Sequence, residues 1–427
     1  MRAILAVAAT LGASTIAGAG TEVRPWVGFD FEHFGEQYAI TADRDTVTTI
    51  NDYGPAVGLA VFDEANPERR YRLTTDVRLG QETQRYRLDF DGRLHGREHG
   101  VELESLGMVR VFRENGAYTL SSDYVQESAR ATYVRRFGNA RFRARDMFDV
   151  TWYQEPNEYN LTSWTHTPAV DLQWRFRELN SIRAGYRFGL HEVPDSTSLD
   201  YTRHTGELDL GLLLGWTASL DLSDQVDRRI YAPGSVRKSS WENRVDGALA
   251  FDAGDRTTLR LVHENELVRY DVPDDVYYDF DRFRTGFQAE VHQSPSLDLS
   301  IMPLYSFLRS ATAPVESYTE TGIEFGINWR LGNRVWFDLS DEIGRRQFDS
   351  AQDEEIPMDG TGSQLDESFL DVLYSDYIYN RLTLLVSSEV RKGIAANLFV
   401  NWQPEDHRVS SHDTNTRIVS GGIEYRF

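Results

Sequence analysis

The sequence predicts an all-β chain closed into a single transmembrane antiparallel meander β-barrel of about 18 to 20 strands, with no plug domain. Three observations predict it. Apolar and polar residues alternate along most of the chain, and the connections are by turns tight and long. Beyond the amino terminus, no stretch of about 18 apolar residues could cross a membrane as a helix.

A strand sends successive side chains to opposite faces, so period-two alternation produces one apolar and one wet face. YRLDFDGRLHG sets Tyr86, Leu88, Phe90 and Leu94 against Arg87, Asp89, Asp91, Arg93 and His95. GIEFGINWRLG sets Ile323, Phe325, Ile327, Trp329 and Leu331 against Glu324, Asn328 and Arg330. In RFRTGFQAEVHQ, Phe283, Phe287, Ala289 and Val291 oppose Arg282, Arg284, Gln288, Glu290 and His292. Many such stretches run for about 10 to 15 residues, long for a soluble sheet and suited to a tilted span of the bilayer. A soluble sandwich also alternates, but so many strands would need several domains. The chain shows no Pro/Ser-rich linker, composition shift or recognisable repeat.

The tight connections are FGNA from Phe137, ELNS from Glu178, AGDR from Ala253 and LGNR from Leu331. The longer ones are acidic: QEPNEYN, DVPDDVYYDFD and SAQDEEIPMDGTGSQLDE. Short turns at one rim and long loops at the other are the layout of an outer-membrane barrel, with the short turns facing the periplasm. Counting back from the carboxyl end with both termini on the short-turn side requires an even number of strands. That count takes Leu382 to Trp402 as one ascending strand despite Gly393, and leaves the early hairpins near Gln81 and Asn115 ambiguous. Almost nothing precedes the first strand near Trp26, hence the expectation of a lumen without a plug. The segment from Ser350 to Glu367 is the best candidate for a loop folded inward.

The amino terminus, MRAILAVAATLGASTIAGAG, has Arg2, a short apolar stretch and the small residues Ala17, Gly18 and Ala19, the layout of a secretory signal peptide over residues 1–19. The barrel then spans 20–427. With no Cys, an exported chain needs no disulfide framework. The closing RIVSGGIEYRF places Val419, Ile423, Tyr425 and a terminal Phe427 on one parity. This pattern resembles the terminal strand of bacterial outer-membrane β-barrels, which the barrel-assembly machinery recognises. The resemblance covers the mature chain in architecture and only its two ends in motif. It implies an outer-membrane location with both termini periplasmic, contact with lipid and lipopolysaccharide, and assembly by that machinery.

The wet faces are then the lining. Lys238 and Lys392 are the only lysines, so arginine carries nearly all the positive charge. Arg141, Arg143, Arg145, Arg175, Arg177, Arg183 and Arg187 form an expected basic patch. Glu207, Asp209, Asp221, Glu242 and Asp246 follow as an acidic one, and Arg282 and Arg284 lie further on. Opposed patches would set up a field that selects solutes by charge, unless they neutralise one another across strands. The leading expectation is a porin-like channel for hydrophilic, charged or saccharide solutes. The alternatives are an exopolysaccharide export barrel working with periplasmic partners, a structural barrel, or a hydrolase. Histidines at isolated lining or loop positions such as His95, His191, His204 and His292, without a G-x-S-x-G or H-E-x-x-H motif, argue against an enzyme. No cofactor, metal or nucleic-acid partner is expected; the acidic loop clusters at Asp274 to Asp281 and Asp353 to Glu355 are taken as solvated charge.

Overall fold

The computed structural model describes residues 21–426 apart from 42–43, 67, 114–121, 158–159, 178, 275, 333, 350–375 and 408–412. The expected signal segment, the terminal Phe427 and the acidic segment from Ser350 to Glu367 therefore lie outside the described residues.

The strands are β1 (Glu22–Thr41), β2 (Arg44–Asn66), β3 (Arg69–Leu79), β4 (Thr83–His95), β5 (His99–Phe112), β6 (Tyr124–Phe137) and β7 (Ala140–Tyr153). They continue as β8 (Ser163–His166), β9 (Ala169–Phe176), β10 (Asn180–Glu192), β11 (Tyr201–Leu213), β12 (Ala218–Tyr231), β13 (Ser240–Asp252) and β14 (Thr257–Tyr270). The last are β15 (Phe280–Ser294), β16 (Leu297–Arg309), β17 (Tyr318–Leu331), β18 (Val335–Phe348), β19 (Tyr377–Arg391), β20 (Ile394–His407) and β21 (Thr414–Arg426). Neighbours in sequence pair antiparallel, and β1 pairs with β21, so the sheet closes on itself. Closure leaves no free edge, which is what a β structure in lipid requires.

One wall strand is broken. Both β8 and β9 pair with β7 on one side and β10 on the other, so together they fill a single place and the barrel has 20 strands. The break falls at Pro168, which has no N–H to give to the ladder. Thr167 keeps the wall joined by exchanging hydrogen bonds with Met147 at 2.7 and 3.3 Å, and the Pro168 carbonyl accepts from Phe188 N–H at 3.0 Å.

The turns after β2, β4, β6, β9, β11, β13, β15, β17 and β19 share one rim with the start of β1 and the end of β21, and the longer connections share the other rim with the tight β3–β4 turn. One sequence expectation needs correction here. Leu382 to Trp402 is not a single strand: β19 and β20 form a hairpin that turns at Lys392 and Gly393, where Gly393 has φ 82°. Because that turn lies on the short-turn rim, the even count survives.

The two faces of the wall differ in chemistry. Val27, Phe29, Leu88, Leu172, Leu261, Phe287 and Ile301 are exposed on the outer face, an apolar surface suited to acyl chains. Trp216, on the turn between β11 and β12, is 99% exposed at the short-turn rim, where an indole suits the membrane interface. The outer face also carries polar groups, and they satisfy one another across strands. His33 and Asn51, Asp146 and His166, Tyr186 and His204, and Asn243 and Asp224 each meet at 2.7 Å. Such pairing offsets the cost of facing polar atoms away from water. His204, expected in the lining or a loop, is thus on the outer face, sharing parity with Leu208.

The inner wall as candidate functional site

The register of the strands decides which inward charges meet. Arg143 on β7 faces Asp171 on β9 and donates from Nε to both carboxylate oxygens at 2.9 and 3.0 Å. Arg145 adds a contact of 3.6 Å to the same group. Arg183 on β10 lies opposite Asp209 on β11, bonds to it, and reaches Glu207 at 3.4 Å. Arg187 holds the other oxygen of Glu207 at 2.6 Å. Arg143, Arg145, Arg183 and Arg187 of the expected basic patch therefore interlock with the acidic neighbours in charge-assisted pairs.

The remaining expected lining residues are spread more widely. Arg141 faces inward opposite Gln173, with a buried Nε that finds no acceptor among the described residues. Arg175 lies opposite Ser181 on the inner face. Arg177 is not in the wall: it occupies the β9–β10 turn with φ 49°, because the ladder ends at Phe176. Asp221 faces inward and is exposed beside Gly211, and Glu242 sits opposite Asp227. Asp246 accepts from Arg244 at 3.0 Å. Arg282 reaches Glu266 at 3.4 Å, while Arg284 on β15 crosses two strands to Glu342 on β18 at 3.2 Å.

Sequence reasoning missed the buried carboxylates that anchor the wall. Asp52 is 1% exposed; it accepts from Glu82 N–H at 3.0 Å and Thr83 Oγ1 at 2.6 Å, and so clasps the tight β3–β4 turn. Asp227 takes Arg203 in a forked pair at 2.6 and 3.0 Å and also accepts from Thr205. Glu320 pairs with Arg346 at 2.7 Å. Glu342 accepts from Tyr379 Oη at 2.7 Å, and Tyr379 fits only because Gly344 beneath it has no side chain. A Cβ there would stand 2.4 Å from the tyrosine oxygen. In the sequence these residues look like any other inward polar position, and only register marks them.

Near the short-turn rim, His292 Nδ1 bonds Asp298 at 2.7 Å with Glu290 close by. The three are half-exposed and form a hydrogen-bonded cluster on the inner face. At the outer end of the sequence signal, Val419, Ile423 and Tyr425 face outward on β21, along the seam with Phe29 and Val27 of β1.

A closed antiparallel wall with an apolar exterior and a charged, ion-paired interior defines the class: an outer-membrane β-barrel. No family model matches the sequence, and no curated protein does. Among solved structures, the chain is similar to the siderophore receptor PirA from Acinetobacter baumannii, with a TM-score of 0.54 and 8% identity over 96% of this chain and 81% of that one. It is similar to the alcaligin outer-membrane receptor FauA from Bordetella pertussis, with a TM-score of 0.52 and 11% identity over 94% and 76%. The copper transporter OprC gives 0.53 and 10% over 96% and 81%. At these identities the likeness is one of fold.

Proposed function

We propose that the barrel is a conduit of the outer membrane through which small hydrophilic solutes cross, porin-like, without a plug domain. The observation that carries this reading is the half-exposed ionic lining. Arg183 and Asp209 remain 29% and 35% exposed although bonded. Charges in that state require water, since desolvating an ion costs several kcal/mol or more; a barrel of about 20 strands has room for it. In this reading the short-turn rim and both chain ends face the periplasm, and the barrel-assembly machinery inserts the chain by its last strand. The solved neighbours include siderophore receptors and a copper transporter, which favours passage of solutes over a purely structural role. The test is ion conductance in planar bilayers with folded, purified protein. Steady conductance steps are expected; a properly folded barrel that never conducts rules the open conduit out.

A further inference from the structure

The long-loop mouth carries a second set of inward side chains. At this rim, the last residue of an ascending strand and the first of the next are repeatedly aromatic. Tyr124 at the start of β6 lies 6.2 Å from Phe112 at the end of β5 and 5.5 Å from Tyr153 at the end of β7, centroid to centroid. Tyr201 at the start of β11 lies 4.7 Å from His191 and 5.4 Å from Tyr231 at the end of β12. Phe348 at the end of β18 lies 5.7 Å from Tyr318 and 6.4 Å from Tyr377. These rings share the parity of the charged lining, as Tyr201 does with Arg203 and Thr205. They form no part of the lipid-facing surface.

Guanidinium groups are set among the rings. Arg229 lies 5.1 Å from the centre of Tyr201, and Arg346 lies 4.2 Å from that of Tyr318 while paired with Glu320. The half-exposed rings of Tyr124, Tyr201, Tyr231 and Tyr318 thus offer flat apolar faces bordered by hydroxyls and guanidinium groups, whereas Tyr377 and Glu320 are buried. Aliphatic cargo would be matched by Leu, Ile and Met rather than by tyrosine. Polyanionic cargo would need a basic lining, whereas Arg346 is taken up by Glu320 and the chain carries a net charge of −22. A pyranose ring fits both parts: its C–H face stacks on an aromatic ring, and its hydroxyls meet the polar rim.

We propose that this collar binds uncharged saccharides at the long-loop mouth by stacking, as an entry site for the conduit. The inference rests on the conduit reading above. The test is the block of ion current by neutral glucose oligomers, from maltose to maltohexaose, added to each side of the bilayer. Reversible block that strengthens with oligomer length is expected. The double variant Tyr201→Ala, Tyr231→Ala should raise the half-blocking concentration about fivefold, whereas Trp152→Ala, on the outer face, should leave it unchanged. Conductance without block, block unaltered by the double variant, or block by planar salicylate but by no sugar each overturns the saccharide site and leaves the conduit standing. If no ions pass, the conduit reading fails by itself. Saturation-transfer NMR with the barrel in nanodiscs then decides the site: transfer from aromatic protons to maltohexaose, lost in the double variant, supports it, and no transfer overturns it.

Discussion

Among the lining residues, the charge of the proposed conduit and the pairing of the wall rest on the same side chains. Arg143, Arg183 and Arg187 each neutralise a carboxylate, so replacing all three by Ala uncovers Asp171, Asp209 and Glu207. The reversal potential should move toward cation preference at low salt, and the difference should fade near about 1 M, where screening shortens to about 3 Å. Glu207→Gln with Asp209→Asn should move it the opposite way. An unchanged potential in both variants means that these pairs do not border the ion path. A second residue-scale expectation concerns facing. Ile327 on the outer side lies between Leu299 and Leu339, and Ile327→Arg should cost about 2 kcal/mol in a lipid-vesicle refolding titration. Asn328→Arg points inward between Asp298 and Asp338 and should cost much less. Equal costs would mean the register is wrong by one.

The β17 to β19 panel of the wall depends on close packing of one strand over the next. Gly344→Ala should displace Tyr379 and break its bond to Glu342, destabilising the barrel by about 1 to 3 kcal/mol. In a Tyr379→Ala background the same substitution should cost far less, because the obstructing ring is gone; a double-mutant cycle in denaturant measures the coupling. The terminal strand makes a different kind of prediction. β21 closes the barrel against β1, with Ile423 beside Phe29 and Tyr425 beside Val27, and Phe427 follows it in the sequence. Deleting Phe427 should lower the amount of heat-modifiable barrel in outer-membrane fractions. Unchanged abundance and mobility would remove the role assigned to that residue in assembly.

At the scale of the whole molecule, the proposed conduit, with its interlocked charges and aromatic mouth, is expected to select more by shape than by charge. Folded protein should show only weak ion selectivity in bilayers, because most lining arginines are matched by carboxylates. A strong preference for either sign at physiological salt would require unpaired charge along the path, and would place the selecting groups outside the interlocked arc from β7 to β12.

The sequence alone determined the class, because side-chain parity is a local property of an extended chain. The facing of Arg143, Arg284, Phe325 and Ile423 follows from alternation without knowledge of any neighbour. The alternation of turn lengths is equally local, and it sorts the two rims except at the tight β3–β4 turn, which lies on the long-loop side. What only the tertiary structure decided is who stands beside whom. Asp171 opposite Arg143, Glu342 within reach of Arg284, and the aromatic rings gathered at one mouth all depend on register and closure, which couple residues far apart in the chain. The hairpin at Lys392 and Gly393 and the wall strand broken at Pro168 were misread or missed for a related reason. A glycine or proline in an alternating run signals a turn in one place and an interruption in another, and the hydrogen bonds of the adjacent strands select between them.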